Sequence, residues 1–429
     1  IRLQINKSDV IIIYINKEKN MKNIERFLNY VRFDTQSNPY SNISPSTNGQ
    51  INFAQYLVQE LKQIGLHHAF LDQYGYVYGY LESNSLSTLT IGLIAHMDTS
   101  FDASGQNIKP TIIEKYDGSD IILNESLKMI LSPKEFPSLN QKIGHTIIHT
   151  DGTTLLGADD KAGITIIIST IEKIILNNLE HPNIIITFTP DEEIGEGTKN
   201  FNYDFYKERN CNFAYTIDGS NIEEINFENF NAASAHIKIK GKSIHPGSAK
   251  GKMINSLFIG MEFQSMLPHE AIPSLTDGYE GFFHLNRMQG SVEETNLEYI
   301  IRNHNTEMFH QQKNLMIEIQ NYLNKKYNQD LVMVTLKDSY YNMRELILKH
   351  PSILEYAIKA MKRNKINPTF VPIRGGTDGA QLSYNFIYTP NLGTGGENFH
   401  GPYEYLDVTD MNKMIDILIT IFKIITEEK

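Results

Sequence analysis

The sequence predicts an α/β protein with a largely parallel central sheet flanked by helices, into which a smaller α+β domain is inserted. Three observations predict this fold class. Continuous apolar runs alternate with helical patterns in the first half, alternating apolar and polar residues begin near residue 233, and helical patterns return after residue 342. Parallel strands are covered on both faces by helices, so they are apolar throughout rather than on alternate residues.

Strands and helices alternate through the first part of the chain. Apolar residues recur at helical spacing over residues 52–64 and 157–178, which predicts a helix in each stretch. Continuous apolar runs predict buried strands over residues 88–100, 183–190 and 211–220. Because ligands of such sheets bind beyond the carboxyl ends of the strands, polar residues that follow these runs are the first candidates for a site.

The inserted α+β domain is predicted over residues 233–341, between a first part of the larger domain at 21–232 and a second part at 342–429. Residues 234–243 alternate apolar and polar side chains, as a strand with one solvated face does. The remaining elements are predicted in chain order as helices over residues 254–266 and 308–323, a strand over 330–343, and helices over 351–364 and 411–428.

Residues 1–20 are predicted to be an extension that is not part of the fold. Their apolar run at residues 10–15 is too short to span a bilayer, which takes about 20 residues. No small-residue cleavage site follows it, which argues against a signal peptide. Met21 then opens an amphipathic helical pattern, so we expect the functional chain to start there.

Composition limits the classes of partner and compartment. The chain has 429 residues with 39 Lys plus Arg against 50 Asp plus Glu, a net charge of −11. This balance argues against a nucleic-acid partner or an anionic membrane surface. Cys211 is the only cysteine, so no intrachain disulfide can form and a reducing cytoplasm is the expected compartment.

Histidines and carboxylates recur where predicted strands end. His96 and Asp98 are two residues apart, so they can be a metal ligand with its orienting carboxylate or a half-buried histidine satisfied by a neighbour. Asp159 and Asp160 stand at a helix start, where a single Asp can serve as an N-cap. Asp218 precedes a glycine and can be a turn former.

Taken together with His400 in a glycine-rich loop, these residues converge on one crevice of the α/β domain. A mixed set of imidazoles and carboxylates suits zinc, or manganese and cobalt, and a shared carboxylate suits a metal pair about 3.5–4 Å apart. The crevice is therefore predicted to be a metal site.

Three acids, Asp191, Glu192 and Glu193, follow the predicted strand over residues 183–190. One glutamate can hold a metal while its neighbour takes a proton from an attacking water. The competing interpretation is a Walker B element of a nucleotide hydrolase. That site needs a G-x-x-x-x-G-K-[ST] loop, and the only "GKS", at residues 241–243, lies in an alternating strand with His236 in place of the first glycine.

The order H-x-D, G-A-D-D-K-A-G, D-E-E-x-G-x-G, strand-D-G and N-F-H-G resembles the co-catalytic zinc exopeptidases of the aminoacylase and carboxypeptidase G type. The similarity runs from Met21 nearly to the end of the chain. It implies a cytoplasmic metallo-aminopeptidase that acts on short peptides, chiefly tripeptides, with two Zn²⁺ per subunit that Co²⁺ or Mn²⁺ can replace. It also implies that the inserted domain is a lid and mediates a homodimer.

The resemblance implies a role for each of ten residues. These are His96 and Asp218 on one zinc, Glu193 and His400 on the other, Asp159 bridging both, Asp98 orienting His96, Glu192 as general base, His245 stabilising the oxyanion, and Arg302 and Arg374 holding the substrate carboxylate. The chain departs from the family pattern around Arg302, where Asn303 and Asn305 stand in place of the usual acids.

Two other functions stay open from the sequence. A related amidohydrolase acting on N-acyl amino acids would use the same metals without accommodating a free α-amine. A non-catalytic metal-binding protein would not need Glu192, whose presence argues for catalysis.

Overall fold

The computed structural model describes residues 21–428, so the predicted extension over residues 1–20 lies outside the described residues. The helices are α1 (residues 21–30), α2 (Asn48–Gln63), α3 (Ala158–Asn177), α4 (Tyr203–Lys207), α5 (Ser256–Ser265), α6 (Thr306–Tyr327), α7 (Arg344–Ile347), α8 (Ser352–Arg363), α9 (Asp378–Tyr384) and α10 (Val408–Glu427). Within residues 21–428, no helix has both the length and the apolar character that crossing a membrane requires.

Eighteen strands are described. They are β1 (Phe70–Leu71), β2 (Val77–Leu81), β3 (Thr90–His96), β4 (Thr111–Ile113), β5 (Ile121–Asn124), β6 (Met129–Leu131), β7 (Ile147–His149), β8 (Asn183–Thr189), β9 (Ala214–Gly219), β10 (Glu224–Asn226), β11 (Asn231–Lys240), β12 (Phe282–Gly290), β13 (Glu294–Asn303), β14 (Val332–Tyr340), β15 (Thr369–Phe370), β16 (Asn391–Gly393), β17 (Gly396–Glu397) and β18 (Tyr405–Asp407).

The chain divides into two compact units. The first unit extends to Phe227 and includes Leu346–Val371 and the chain from Leu382 onward, whereas the second unit comprises Glu228–Glu345 and Pro372–Gln381. The sequence prediction assigned residues 372–381 to the larger domain, but in the structure they cluster with the second unit. The physical reason is Arg374, whose guanidinium donates hydrogen bonds to three backbone carbonyls of the segment 276–280.

The first unit is built on an eight-stranded sheet with the order β1-β2-β8-β3-β9-β16-β10-β15. Its central pairs, β8 with β3, β3 with β9 and β9 with β16, are parallel. Every residue of β3 is buried, which explains its continuous apolar sequence. Helix α3 packs on β3 and β9, and α10 packs on α3 and α8. The predicted α/β class with a mostly parallel central sheet is confirmed.

A smaller sheet of the first unit, with the order β17-β18-β7-β4, and the hairpin of β5 and β6 were not predicted. Strands β4, β6, β7 and β18 are three residues long and β17 is two. Such short strands are too brief to show a period of two, so sequence patterning does not reveal them.

The second unit is an antiparallel sheet with the order β12-β13-β11-β14, on which α5 and α6 pack. From Ala233 to Lys240 of β11, buried residues alternate with exposed or half-buried ones, as the sequence pattern requires for a strand with one solvated face. Helix α6 buries Phe309, Met316, Ile319 and Leu323. These side chains recur at spacings of three, four and seven residues, so they form one apolar stripe against the sheet.

Candidate functional site

The candidate site lies where three parallel strands of the first unit end. Strand β3 ends at His96, which is paired in register with Thr189 at the end of β8. Strand β9, which contains Asp218, pairs with the other edge of β3. Because β8 and β9 flank β3 in the same direction, the residues at their carboxyl ends meet at one edge of the sheet.

Asp159 lies between two histidines that are far apart in sequence. Its Oδ1 atom is 2.8 Å from Nε2 of His96, and its Oδ2 atom is 3.1 Å from Nε2 of His400. His96 Nε2 also lies 3.4 Å from Oδ1 of Asp218, and His400 Nε2 lies 3.0 Å from Oε2 of Glu193. The five residues thus form one continuous cluster with Asp159 at its centre.

The neighbouring acid, Asp160, is directed to the backbone instead. Its carboxylate accepts hydrogen bonds from the backbone N–H groups of His96 and Gly163, both at 3.1 Å, and the residue is fully buried. Ligand atoms of Asp160, His96 and Asp218 lie within 4.8 Å of one another, so these three residues could also hold a metal ion. Its two backbone partners give it a structural role at the start of α3, whereas both oxygens of Asp159 face histidine.

The side chains of this cluster fit a pair of divalent cations. Two imidazoles and three carboxylates are a donor set suited to zinc or its first-row neighbours. Oε1 of Glu193 is buried and has no hydrogen-bond partner among the described residues, which a cation would remedy. Burial, and then the charge of Asp159, raise the pKa of Glu193 to about 7. The pKa of Asp218 is also raised, chiefly by burial.

The pKa values of the two histidines are also raised, which for an imidazole favours the charged form. Hydrogen bonds to Asp159 and Glu193 raise the pKa of His400 to about 11. Burial by itself would lower the pKa of His96, but the charge of Asp218 and the hydrogen bond to Asp159 raise it well above its usual range. The surroundings therefore favour positive charge at this position, which is the electrostatic role of a metal ion.

Asp98 contacts three functional residues at once. Its carboxylate accepts the backbone N–H of Glu192 at 3.0 Å on Oδ1 and the backbone N–H of Glu193 at 3.1 Å on Oδ2. Nδ1 of His96 lies 3.1 Å from the backbone oxygen of Asp98 and 3.5 Å from its Oδ1. With Nδ1 as donor to that carbonyl, Nε2 of His96 carries the free lone pair, as a metal ligand requires.

Glu192 and Glu193 do not extend β8. They lie in a short 3₁₀ turn, Glu192–Ile194, which follows Asp191 in a left-handed conformation with φ of 58°. Alternation along a strand therefore does not set the directions of their side chains. As whole residues Glu192 and Glu193 are both half-buried. The side chain of Glu193 is 5% exposed and lies beside His400.

Glu404 is a site residue that the sequence analysis missed. Its carboxylate is buried and accepts hydrogen bonds from the backbone N–H groups of Leu156, Gly157 and Asp159 at 2.6, 2.9 and 3.1 Å. It therefore fixes the turn that presents Asp159. Glu404 follows β17 in a tyrosine-containing stretch, where nothing in the local pattern distinguishes it from a surface acid.

Three of the predicted site residues belong to the second unit. His245 is exposed, and its Nδ1 accepts a hydrogen bond from the backbone N–H of Gly247 at 3.2 Å. Arg302 donates from one terminal nitrogen to the carbonyls of Ala233 and Ile301. Both terminal nitrogens of Arg374 are engaged with the segment 276–280. Arg302 thus keeps more of its donor capacity than Arg374 does.

Known proteins resemble this chain over nearly its full length. Residues 227–331 match a family described as the peptidase dimerisation domain. A protein named peptidase T from Caldanaerobacter subterraneus subsp. tengcongensis is 53% identical over 405 residues, which is 94% of this chain and 98% of that protein.

Solved structures share the fold. The aminopeptidase PepT from Bacillus cereus superimposes with a TM-score of 0.75 at 21% identity, over 95% of this chain and 98% of that one. A dinuclear metal-binding peptidase of the M20 family from Bacillus subtilis superimposes with a TM-score of 0.62 at 13% identity, over 96% and 100%.

Proposed function

The chain belongs to the peptidase T family, and from this premise we propose that it releases the N-terminal residue of tripeptides with the help of two metal ions. It is a hydrolase of peptide bonds, and the same family membership supports the substrate. The cluster at the ends of β3, β8 and β9 supplies the chemistry.

The observation that carries the proposal is the carboxylate of Asp159. One of its oxygens faces His96 and the other faces His400, at 2.8 and 3.1 Å. A single carboxylate with a separate histidine on each oxygen is the arrangement that a metal pair needs from a bridging ligand. Asp218 beside His96 and Glu193 beside His400 complete one set of ligands on each side.

We assign His96 and Asp218 to one ion, Glu193 and His400 to the other, and Asp159 to both. Zinc suits this donor set, and cobalt or manganese can replace it. When bound, such a pair supplies Lewis-acid polarisation of the scissile carbonyl and lowers the pKa of water.

Glu192 is the proposed general base. It accepts a proton from the water that attacks the scissile carbonyl and returns a proton to the departing amine as the C–N bond breaks. Its backbone is fixed by the carboxylate of Asp98, which also borders His96. Asp98 therefore aligns the base and a metal ligand with each other.

The second unit supplies the remaining proposed contacts. His245 donates a hydrogen bond to the oxyanion that develops on the attacked carbonyl. Arg302 and Arg374 hold the free carboxylate of the substrate, a task that suits a guanidinium fork. Since Arg302 makes fewer hydrogen bonds within its own unit, it is the stronger candidate of the two.

A panel of matched peptides tests the proposal. The zinc-loaded chain should cleave a tripeptide faster than the corresponding dipeptide and tetrapeptide. Amidating the C-terminus of the tripeptide should cost about 1.5–3 kcal/mol, the range for hydrogen bonds to charged groups. That cost corresponds to roughly a 10- to 150-fold lower kcat/KM. Acetylating the N-terminus should abolish cleavage.

Other outcomes would point to other functions. Hydrolysis of N-acyl amino acids without cleavage of free tripeptides would assign the chain to the amidohydrolases. If the chain binds its full complement of metal but hydrolyses neither tripeptides nor N-acyl amino acids, it is a non-catalytic metal-binding protein. An equal rate on amidated and free tripeptides would remove the carboxylate contact from the proposal.

The proposed assembly is a homodimer through the second unit, supported by the match of residues 227–331 to a peptidase dimerisation domain. Sedimentation equilibrium of the full chain tests it, and a monomer at micromolar concentration would refute it. We further propose a cytoplasmic location, which is compatible with a single, buried cysteine.

A further inference from the structure

Asp191, the first acid of the D-E-E sequence, makes more hydrogen bonds than a turn requires. Its carboxylate accepts the backbone N–H of Ser46 at 2.8 Å, the hydroxyl of Ser46 at 2.5 Å and the side-chain amide of Gln50 at 2.7 Å. The backbone N–H of Asp191 donates in turn to Oε1 of Gln50 at 3.1 Å. These partners are about 140 residues away in sequence, at the start of α2.

The same residue also closes the loop that carries the glutamates. The backbone oxygen of Asp191 accepts the N–H of Glu196 at 2.9 Å, so Glu192 and Glu193 lie inside the loop that this bond closes. On the other side of the loop, the carboxylate of Asp98 accepts the N–H groups of the two glutamates. The base-bearing loop, residues 191–196, is therefore fixed by two buried carboxylates, that of Asp191 within the loop and that of Asp98, two residues after the end of β3.

The cost of burying the carboxylate of Asp191 argues that it does more than fill space in the core. The residue is fully buried, and the partners of its carboxylate are a backbone amide, a hydroxyl and a side-chain amide, all of them neutral. Burying a carboxylate without a cation carries a large desolvation penalty, which neutral donors offset only when their geometry is good. The hydrogen bonds that offset this penalty hold the base-bearing loop in a single position.

The network continues from the loop to a cavity. The hydroxyl of Ser46 accepts the backbone N–H of Asn38 at 2.9 Å. Asn38 lines a cavity of about 450 Å³ together with Gln36, Tyr40 and Phe101. Hydrogen bonds through Asp191 thus connect the base-bearing loop to Ser46, Gln50 and, through Ser46, Asn38.

We propose that Asp191 is a positioning residue for the general base, which holds the base-bearing loop against Ser46 and Gln50 and thereby sets the position of Glu192. The inference rests on the proposed function of Glu192. A role limited to local hydrogen bonds at the turn would not need partners as distant in sequence as Ser46 and Gln50.

Asp191→Asn is the direct test, because asparagine keeps the size of the side chain but replaces one acceptor oxygen with a donor. A misplacement of about 1 Å can lower the rate about 10²-fold, so we expect kcat to fall roughly 10- to 100-fold. KM for the tripeptide and the zinc content by mass spectrometry should stay near the wild-type values. Asp117→Asn is the matched control, because Asp117 also accepts the N–H and hydroxyl of a serine, Ser119, but in an exposed turn. The control should keep the wild-type kcat.

Gln50→Met provides a second variant in case Asp191→Asn does not fold. It keeps the carboxylate but removes both hydrogen bonds between residue 50 and Asp191, and we expect the same direction of change in kcat. Hydrogen exchange supplies a readout that needs no substrate. In both variants, the amides of Glu192 and Glu193 should exchange faster than in the wild type, while those of β3 should not.

Two outcomes would overturn the inference. The first is a lower melting temperature with unchanged kcat per metal-loaded, folded molecule, which would leave Asp191 with a role in stability alone. The second is a loss of zinc whose effect on kcat is reversed by excess metal, which would assign Asp191 to the metal ligand Glu193 rather than to the base. An inactive wild type would refute the proposed function instead, and the exchange measurement would still decide on the network.

Discussion

Replacing Asp98 with asparagine separates the two tasks that this residue has in the structure. One task is to accept the backbone N–H groups of Glu192 and Glu193 on different carboxylate oxygens, at 3.0 and 3.1 Å. The other is to orient His96, which its backbone carbonyl approaches at 3.1 Å, more closely than its carboxylate does. The substitution changes the first task and leaves the backbone carbonyl in place.

The size of the effect follows from counting acceptors. Asparagine has one side-chain oxygen and can accept only one of the two N–H groups. Its amide nitrogen then faces the other N–H group, so one charge-assisted hydrogen bond is lost. Such a bond contributes about 1.5–3 kcal/mol. If all of it is expressed in the transition state, kcat/KM should fall roughly 10- to 150-fold. Zinc content should stay near the wild-type value, because His96 keeps its contact with the carbonyl.

Tripeptide kinetics and metal analysis on the same preparation check this prediction. Asp117→Asn, in an exposed turn, serves as the control for a general effect of removing a carboxylate. The reasoning is refuted if Asp98→Asn loses zinc while its kcat per bound metal is unchanged. That result would mean that the carboxylate acts on His96 and has no influence on the base-bearing loop.

The remaining predictions concern the other proposed roles. Glu192→Ala should retain zinc and lose about 10²–10⁴ in turnover, the usual contribution of a general base, whereas Glu193→Ala should lose zinc and regain part of its activity in excess metal. Metal analysis beside kinetics tests both, and zinc depletion in Glu192→Ala would contradict the assignment. His245→Ala should lower kcat roughly 10²–10³-fold with zinc intact, as loss of an oxyanion donor does. Unchanged turnover would leave His245 a structural role. Burial raises the pKa of the Cys211 thiol to about 12, so at pH 8 it should not react with a disulfide reagent until the protein unfolds. Rapid labelling of the native protein would contradict this.

The elements that the sequence predicted well are long and mostly buried, so their apolar residues form a local pattern. Helix α3, predicted over residues 157–178, is observed at Ala158–Asn177, and strand β8, predicted over residues 183–190, at Asn183–Thr189. Strand β3 is shorter than the predicted run, because after His96 the chain leaves the sheet to form the site. The short strands β4 and β17 could not be predicted, since their pairing is with distant residues rather than a local pattern.

The sequence by itself determined that histidines and carboxylates follow the ends of buried strands, because apolar runs and their termini are local features of the chain. Which residues meet there was decided by tertiary structure. His400 and Asp159 are 241 residues apart. His400 follows β17 and Asp159 follows β7, and these two strands belong to one small sheet because both pair with β18.

Tertiary structure also decided between chemically identical neighbours. Asp159 faces two histidines while Asp160 binds the backbone amides of His96 and Gly163. Likewise, Asp191 is directed to Ser46 rather than to the proposed metal ligands. Adjacent acids have the same intrinsic chemistry, so their roles depend on which donors the folded chain places opposite each of them, and those donors come from segments that no local pattern connects.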